Sequence, residues 1–189
     1  MRLTASCGVA DRRRRSFRGW RRAFIAATAL AAVFSLATAR LFVWPAEGMP
    51  PRVSAIVMLA GPGNRLPVAL QLAREHRVPI LAVSQGRHGY AGPCPSAVPG
   101  VKLICFDPNP GNTRGEAEFA GQLAERYHWT SAVLVTVRAQ DTRARILMGR
   151  CFGGSIYVIT ASLSLGSWPY QIAYEWGALF KALFLYRAC

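Results

Sequence analysis

Residues 112–117, with the sequence Asn-Thr-Arg-Gly-Glu-Ala, carry the side chains best suited to chemistry in this 189-residue chain. They open a predicted amphipathic helix, so an amide, a hydroxyl, a guanidinium and a carboxylate lie around one helix N-terminus, where free N–H groups and the helix dipole favour anions. Thr113 and Glu116 also fit a capping box, in which each side chain binds a backbone donor of the other residue. Spacing alone favours the capping box over a ligand site. If the segment is a ligand site, Glu116 is its candidate catalytic acid.

Polar residues of a similar kind follow four predicted strands. The carboxyl ends of parallel strands meet at one edge of a sheet, and open α/β sheets bind their ligands there. The predicted ligand-binding residues are Gly61, Gly63, Asn64, Arg65, Ser84, Gln85, Gly86, Asn112, Thr113, Glu116, Thr136, Arg138, Gln140 and Arg143. With Arg87, the arginines of these loops would suit a phosphate or another anion.

Alternating strand and helix patterns would position these loops. Nearly continuous apolar runs predict buried strands, most clearly over 53–60 and 131–136. Further strands are predicted over 79–84, 102–106 and 155–160, and helices over 65–76, 113–127, 142–150 and 170–186. Repeated β-α units indicate an α/β fold: a doubly wound, mainly parallel five-stranded sheet in a Rossmann-like three-layer αβα arrangement.

An apolar segment near the N-terminus predicts a transmembrane helix. Residues 23–39 carry no charge, and the apolar run continues to Trp44, which is just long enough to span a bilayer. Residues 1–22 hold eight arginines and one aspartate, which by the positive-inside rule places them in the cytoplasm. A cleaved, twin-arginine-like signal is the alternative, since Ala37-Thr38-Ala39 has the form of a cleavage site. Both interpretations place the rest of the chain outside the cytoplasm.

The predicted organisation is a basic cytoplasmic tail (1–22), a signal anchor (23–44), a linker (45–52) and an extracytoplasmic domain (53–189) at the plasma membrane. This arrangement predicts membrane lipids as partners and predicts no binding of nucleic acid. Export permits disulfides, and the short Pro/Gly-rich loop between Cys94 and Cys105 favours that pair. Cys151 and Cys189 pair by elimination. The chain has no metal-ligand spacing, so no metal or other cofactor is predicted.

Four motifs in order resemble the DUF218 family, a domain of unknown function found in envelope proteins such as SanA, ElyC and YdcF. They are Ala-Gly-Pro-Gly-Asn-Arg at 60–65, Val-Ser-Gln-Gly at 83–86, Asn-Thr-Arg-Gly-Glu-Ala at 112–117 and Val-Thr-Val-Arg-Ala-Gln-Asp-Thr-Arg-Ala at 135–144. The resemblance covers residues 53–182, including Tyr-Glu-Trp at 174–176. The chain departs from the family pattern at Gln140, where His is usual, and at Gln85, where Gly is usual. A glutamine cannot carry a proton near neutral pH as a histidine can.

The resemblance implies a role in cell-envelope biogenesis, with a small anionic or lipid-linked ligand of peptidoglycan synthesis at the carboxyl edge of the sheet. It also implies envelope-biogenesis membrane proteins as partners. Gln140 leaves enzymatic turnover open. Two alternatives stand beside this expectation: a non-catalytic module for a nucleotide-like ligand, and a scaffold for membrane enzymes whose pocket is vestigial.

Overall fold

The computed structural model describes residues 7–45, 47–75, 78–86 and 94–189, with side-chain surroundings from residue 19 onward. The chain divides into two units, of which the first ends at Arg40 and the second runs from Leu41 to Cys189. Arg87, which was predicted to join the pocket, lies outside the described residues.

A long helix forms the described part of the first unit. Helix α1 spans Cys7–Thr38, and a π-helical turn follows over Ala39–Val43. The 25 residues Gly19–Val43 form a helix long and apolar enough to cross a membrane. At about 1.5 Å per residue they reach about 37 Å, which exceeds the ~30 Å hydrocarbon core of a bilayer.

A parallel sheet of five strands forms the centre of the second unit. The strands are β1 (Ala55–Met58), β2 (Ile80–Ser84), β3 (Lys102–Phe106), β4 (Ser131–Val137) and β5 (Ser155–Ala161), in the spatial order β3-β2-β1-β4-β5. Ala55 lies beside Ile80 on one side and Ala132 on the other, which makes β1 the central strand. All four β1 residues are buried, as expected of an apolar strand covered on both faces. The predicted α/β fold is confirmed.

Helices cover both faces of this sheet. Helix α2 (Arg65–Glu75) packs Ala69 and Ala73 against one face, where Ile56 and Leu81 are buried. Helices α3 (Thr113–Arg126) and α4 (Asp141–Cys151) cover the other face. A 3-10 turn, Arg138–Gln140, leads from β4 into α4, and helix α5 (Trp168–Phe184) packs beside α4.

The first residues of the second unit pack against α5. Phe42 is fully buried with Ala139 and Leu179, and its ring meets that of Trp176 edge-on with centroids 5.3 Å apart. The Thr142 hydroxyl donates a hydrogen bond of 2.6 Å to the carbonyl of Leu41. The end of the predicted transmembrane segment 23–44 therefore contributes to the core of the domain.

Two disulfides close the fold at the predicted cysteines. Cys94 bonds to Cys105 on β3, with their Cα atoms 6.0 Å apart, and Cys151 at the end of α4 bonds to Cys189, with Cα atoms 4.9 Å apart. The second bridge ties the C-terminal residue back to the helical layer. Each bridge stabilises the fold chiefly by restricting the unfolded chain.

Two helical glycines predict opposite effects of the same substitution. A Cβ on Gly121 of α3 would lie 2.6 Å from the carbonyl oxygen of Cys151, whereas one on Gly177 of α5 would meet nothing within 4 Å. Gly121→Ala should therefore destabilise the fold by about 1–3 kcal/mol through overpacking of α3 on α4. Gly177→Ala should stabilise it by about 0.5–1 kcal/mol through helix propensity. Chemical denaturation of the full chain in detergent measures both, and equal effects would contradict the close approach.

Candidate functional site

The order of the strands creates a crevice beside β1. From β1 the chain first builds β2 and β3 on one side, and then returns through α3 to place β4 on the other side. Ligands of doubly wound sheets bind at such a switch point, outside the carboxyl ends of the strands. A pocket of about 410 Å³ lies there. Seven predicted residues line it: Gly61, Gly86, Asn112, Thr113, Glu116, Gln140 and Arg143.

Glu116 is the buried acid of this pocket. Its carboxylate accepts a hydrogen bond of 2.6 Å from the backbone N–H of Ala60, just beyond β1, and its side chain is almost completely buried. Burial raises the pKa of Glu116 and outweighs the Ala60 hydrogen bond, the nearby Ser84 hydroxyl and the charges of Arg65 and Arg143, all of which lower it. Ser84 Oγ has no hydrogen-bond partner within hydrogen-bonding distance among the described residues. The donor to the Glu116 carboxylate is therefore the Ala60 N–H. A carboxyl group in this setting favours its neutral form.

The predicted capping box is wrong. The N-cap of α3 is Asn112, whose Oδ1 accepts hydrogen bonds from the backbone N–H groups of Arg114 and Gly115. Thr113 is therefore the first residue inside the helix, and Glu116 binds the end of β1 instead of a helix donor. The amide cap occupies two of the free N–H groups that were expected to attract an anion.

Gln140 links two threonine hydroxyls beneath the pocket. Its Oε1 accepts a hydrogen bond of 3.0 Å from Thr136 Oγ1, and its Nε2 donates one of 2.8 Å to Thr113 Oγ1. All three side chains are buried. Because Thr113 Oγ1 accepts from Gln140, its own proton is left to point elsewhere, and Thr113 lines the pocket. The amide at position 140 thus orients a hydroxyl donor at the pocket wall.

Arg143 is held by a buried ion pair that spacing did not predict. Its Nε and Nη2 donate to the two carboxylate oxygens of Glu175 on α5, both at 2.7 Å, and the two side chains are 8% and 2% exposed. Burial lowers the pKa of Arg143, but the hydrogen bonds and the charge of Glu175 outweigh it and raise the pKa overall. The sequence signal was a single acid within the apolar helix α5. Both residues line the pocket.

Arg65 supports the turn after β1 and is not directed at a ligand. It is 2% exposed, and its guanidinium donates to the carbonyl groups of Leu59, Ala60 and Pro62. Burial lowers the pKa of Arg65 to about 10, partly offset by the charges of Glu116 and Glu175, so it stays charged at neutral pH. A Cβ on Gly61 would lie 2.8 Å from Arg65 Nη2, so a larger residue at position 61 would collide with the guanidinium.

The structure places other predicted residues away from the pocket wall. Asn64 accepts hydrogen bonds from the backbone and hydroxyl of Ser162, and half-exposed Arg138 pairs with Glu47 at 3.3 Å. Gly63 packs against Ser162 and Val137. Gln85 donates its backbone N–H to Phe106. Ser84 and Thr136 are buried behind the wall.

Eight pocket residues were not predicted to bind a ligand, because they come from turns or from α5, although four of them lie in segments that resemble the DUF218 pattern. They are Ala60, Pro62, Pro108, Gly111, Tyr170, Gln171, Tyr174 and Glu175. The aromatic and acidic members of this set lie on α5, where the sequence predicted a helix but no ligand-binding residue. The pocket thus combines the carboxyl edge of the sheet with the first turns of α5.

Comparison of the chain with protein-family models, with curated proteins and with solved structures found no match in any of the three. The assignment of a ligand therefore depends on the geometry and charge of the pocket.

The raised pKa of Glu116 predicts how stability changes with pH. The folded state binds the Glu116 proton more tightly than the unfolded state, so the free energy of unfolding falls as pH rises from about 4.3, the ordinary pKa of glutamic acid, through the raised value. Glu116→Gln keeps an acceptor for the Ala60 N–H and removes this titration. Denaturation across pH should show the wild type losing stability relative to Glu116→Gln as pH rises. A relative gain would mean that the pocket stabilises the carboxylate.

The Arg143–Glu175 pair predicts a non-additive mutant cycle. Arg143→Met leaves the Glu175 carboxylate buried without its partner, and should cost about 3–5 kcal/mol of unfolding free energy. Adding Glu175→Leu removes that charge, so the double variant should be more stable than Arg143→Met alone. The matched control is Arg114→Met, which breaks the partly exposed pair with Glu118 and should cost less than about 1 kcal/mol. Additive losses in the cycle would contradict the buried pair.

Proposed function

We propose that the second unit binds a small phosphorylated or otherwise anionic ligand in the pocket at the carboxyl edge of the sheet. The charge balance around the pocket carries this proposal, with three charged side chains at its wall and Arg65 buried behind it. Arg65, Glu116, Arg143 and Glu175 are all buried, and the pKa of Arg65 responds to the charges of the other three. With Glu116 ionised the four charges cancel, and with Glu116 protonated they leave one net positive charge. Since burial favours the protonated form, the pocket is suited to an anion.

The hydrogen-bond donors at the wall support the same ligand class. Thr113 presents a hydroxyl that Gln140 orients, and a protonated Glu116 carries a second O–H while its other oxygen accepts from Ala60. Arg143 lines the pocket with its guanidinium fixed by Glu175. Oriented donors in a largely buried site bind phosphate oxygens strongly. Glu116 can also deliver a proton to a bound group, a role that Gln140 cannot take.

We place this pocket outside the cytoplasm, in a protein anchored at the plasma membrane. The helix Gly19–Val43 is long enough to span, and the arginines before it favour a cytoplasmic N-terminus. A domain held at the outer face of the membrane would encounter lipid-linked phosphates of envelope synthesis. This agrees with the motif resemblance, which supports a role in peptidoglycan or lipid-linked intermediate biogenesis.

Farnesyl phosphate tests the ligand class, with farnesol as an uncharged control of the same chain. The full-length protein in detergent should bind the phosphate and not the alcohol, in a calorimetric titration. The ratio of wild-type to Glu116→Gln affinity should increase as pH falls through the pKa of Glu116, because protonation removes a negative charge beside the ligand, whereas the titration of the phosphate at about pH 6 affects both proteins. Thr113→Val should weaken binding about 10- to 100-fold by removing a donor to a charged group. Thr130→Val, an exposed threonine outside the pocket, should bind like the wild type.

Two results would contradict the proposal. Equal binding of farnesol and farnesyl phosphate would show that the lipid chain alone is recognised. A ratio of wild-type to Glu116→Gln affinity that increases with pH would show that the ligand prefers an ionised Glu116, as a cationic ligand would. In Glu116→Gln binding should remain, and only the pH dependence that comes from the phosphate itself, which titrates at about pH 6, should be left, since the amide does not titrate.

A further inference from the structure

Helix α5 exposes an apolar face that no described residue covers. Its exposed members are Tyr170, Tyr174, Phe180, Leu183 and Phe184, with Leu185 just after the helix, each at least 44% exposed. Tyr170 and Tyr174 are four residues apart, as are Phe180 and Phe184, and at about 100° per residue all four lie within about 120° of one another, along one side of the helix. Large exposed patches of this kind mark sites of association with a protein or a membrane.

The first residues of the second unit pack against α5 beside this face. Phe42, inside the apolar segment Gly19–Val43, packs on Leu179 and Trp176 of α5. Phe180 lies four positions after Trp176, and Leu183 four positions after Leu179, which is about 6 Å further along the same helix, roughly one turn away. Leu41 and Phe42, which lie at the end of the apolar segment and begin the second unit, therefore pack in one cluster with residues of the helix that carries the exposed apolar face.

The chemistry of the face fits the interface between lipid and water. Tyr170 and Tyr174 stack with ring centroids 6.3 Å apart, and Phe180 and Phe184 pack at 4.8 Å. Tyrosine is enriched where one end of a side chain contacts lipid and the other contacts water. Lys181 is exposed on the same helix, and Arg187 follows it, so both can meet anionic head groups.

We propose that the exposed face of α5 docks on the membrane surface and holds the mouth of the pocket at the lipid–water interface. Tyr170 and Tyr174 belong both to this face and to the pocket wall. A neighbouring cavity of about 380 Å³ continues from the pocket along α5 to Lys181 and Tyr186. A lipid-linked phosphate then reaches the pocket without leaving the bilayer. This inference depends on the proposed anchoring and narrows the proposed ligand class to membrane-embedded anions.

Photo-crosslinking of the full chain tests the docking. Phe180→p-benzoylphenylalanine and Phe184→p-benzoylphenylalanine place a photoreactive ring on the face, and both positions are exposed enough to accept it. The matched control is Gln71→p-benzoylphenylalanine, at an exposed position of α2. This helix covers the face of the sheet opposite to α3 and α4. Each variant is reconstituted into vesicles of phosphatidylethanolamine and phosphatidylglycerol, irradiated and analysed by mass spectrometry. An intact Cys151–Cys189 bridge verifies folding.

We expect lipid adducts at positions 180 and 184 and none at 71. Protein that floats with the vesicles but forms no lipid adducts at 180 and 184 would overturn the docking while leaving the anchor in place. Adducts of twice the chain mass would assign the face to a second copy of the chain and also overturn it. Protein that does not float would overturn the anchoring and the docking together. No pocket ligand is present, so these outcomes are independent of farnesyl phosphate binding.

Discussion

The burial of four charged side chains at one edge of the sheet is the constraint on which the site depends. Arg65, Glu116, Arg143 and Glu175 lie almost entirely out of water, where an uncompensated charge is very costly. Carbonyl groups accept the hydrogen bonds of Arg65, and Arg143 and Glu175 pair with each other. Glu116 accepts a hydrogen bond from a backbone N–H, and burial raises its pKa, which favours the neutral form. Arg65, Arg143 and Glu175 each have hydrogen-bond partners for the charged form. Glu116 is the member whose charge can change.

Hydrogen bonds of these side chains connect the helices and strands around the pocket. Glu116 ties the first turn of α3 to the end of β1, and the Arg143–Glu175 pair ties α4 to α5. Gly61 leaves room for the Arg65 guanidinium under the turn after β1. The pocket is therefore enclosed by contacts that span the chain from residue 60 to residue 175, and its shape depends on long-range pairing more than on any one loop.

Sequence patterns were sufficient for the elements but not for the partners of individual side chains. The apolar run around β1 predicted a strand buried on both faces, and parallel strands brought Gly86, Asn112 and Gln140 to one edge. The cap shifted from Thr113 to Asn112, because Glu116 binds β1 at a separation of 56 residues that no local rule covers. Arg138, Arg143 and Arg65 looked equivalent in sequence. Their different roles follow from Glu47 and Glu175, which only the tertiary fold brings near, and from the carbonyl groups of the turn after β1.

The titration of Glu116 tests the account most directly. Infrared spectroscopy of the full chain, taken as the difference between the wild type and Glu116→Gln, isolates the carboxyl band of this residue. The account predicts a midpoint above about 4.3, the ordinary pKa of glutamic acid, and a further upward shift when farnesyl phosphate is bound. A midpoint at or below the ordinary value, or a downward shift with the phosphate bound, would contradict a pocket that uses a neutral Glu116 to receive an anion.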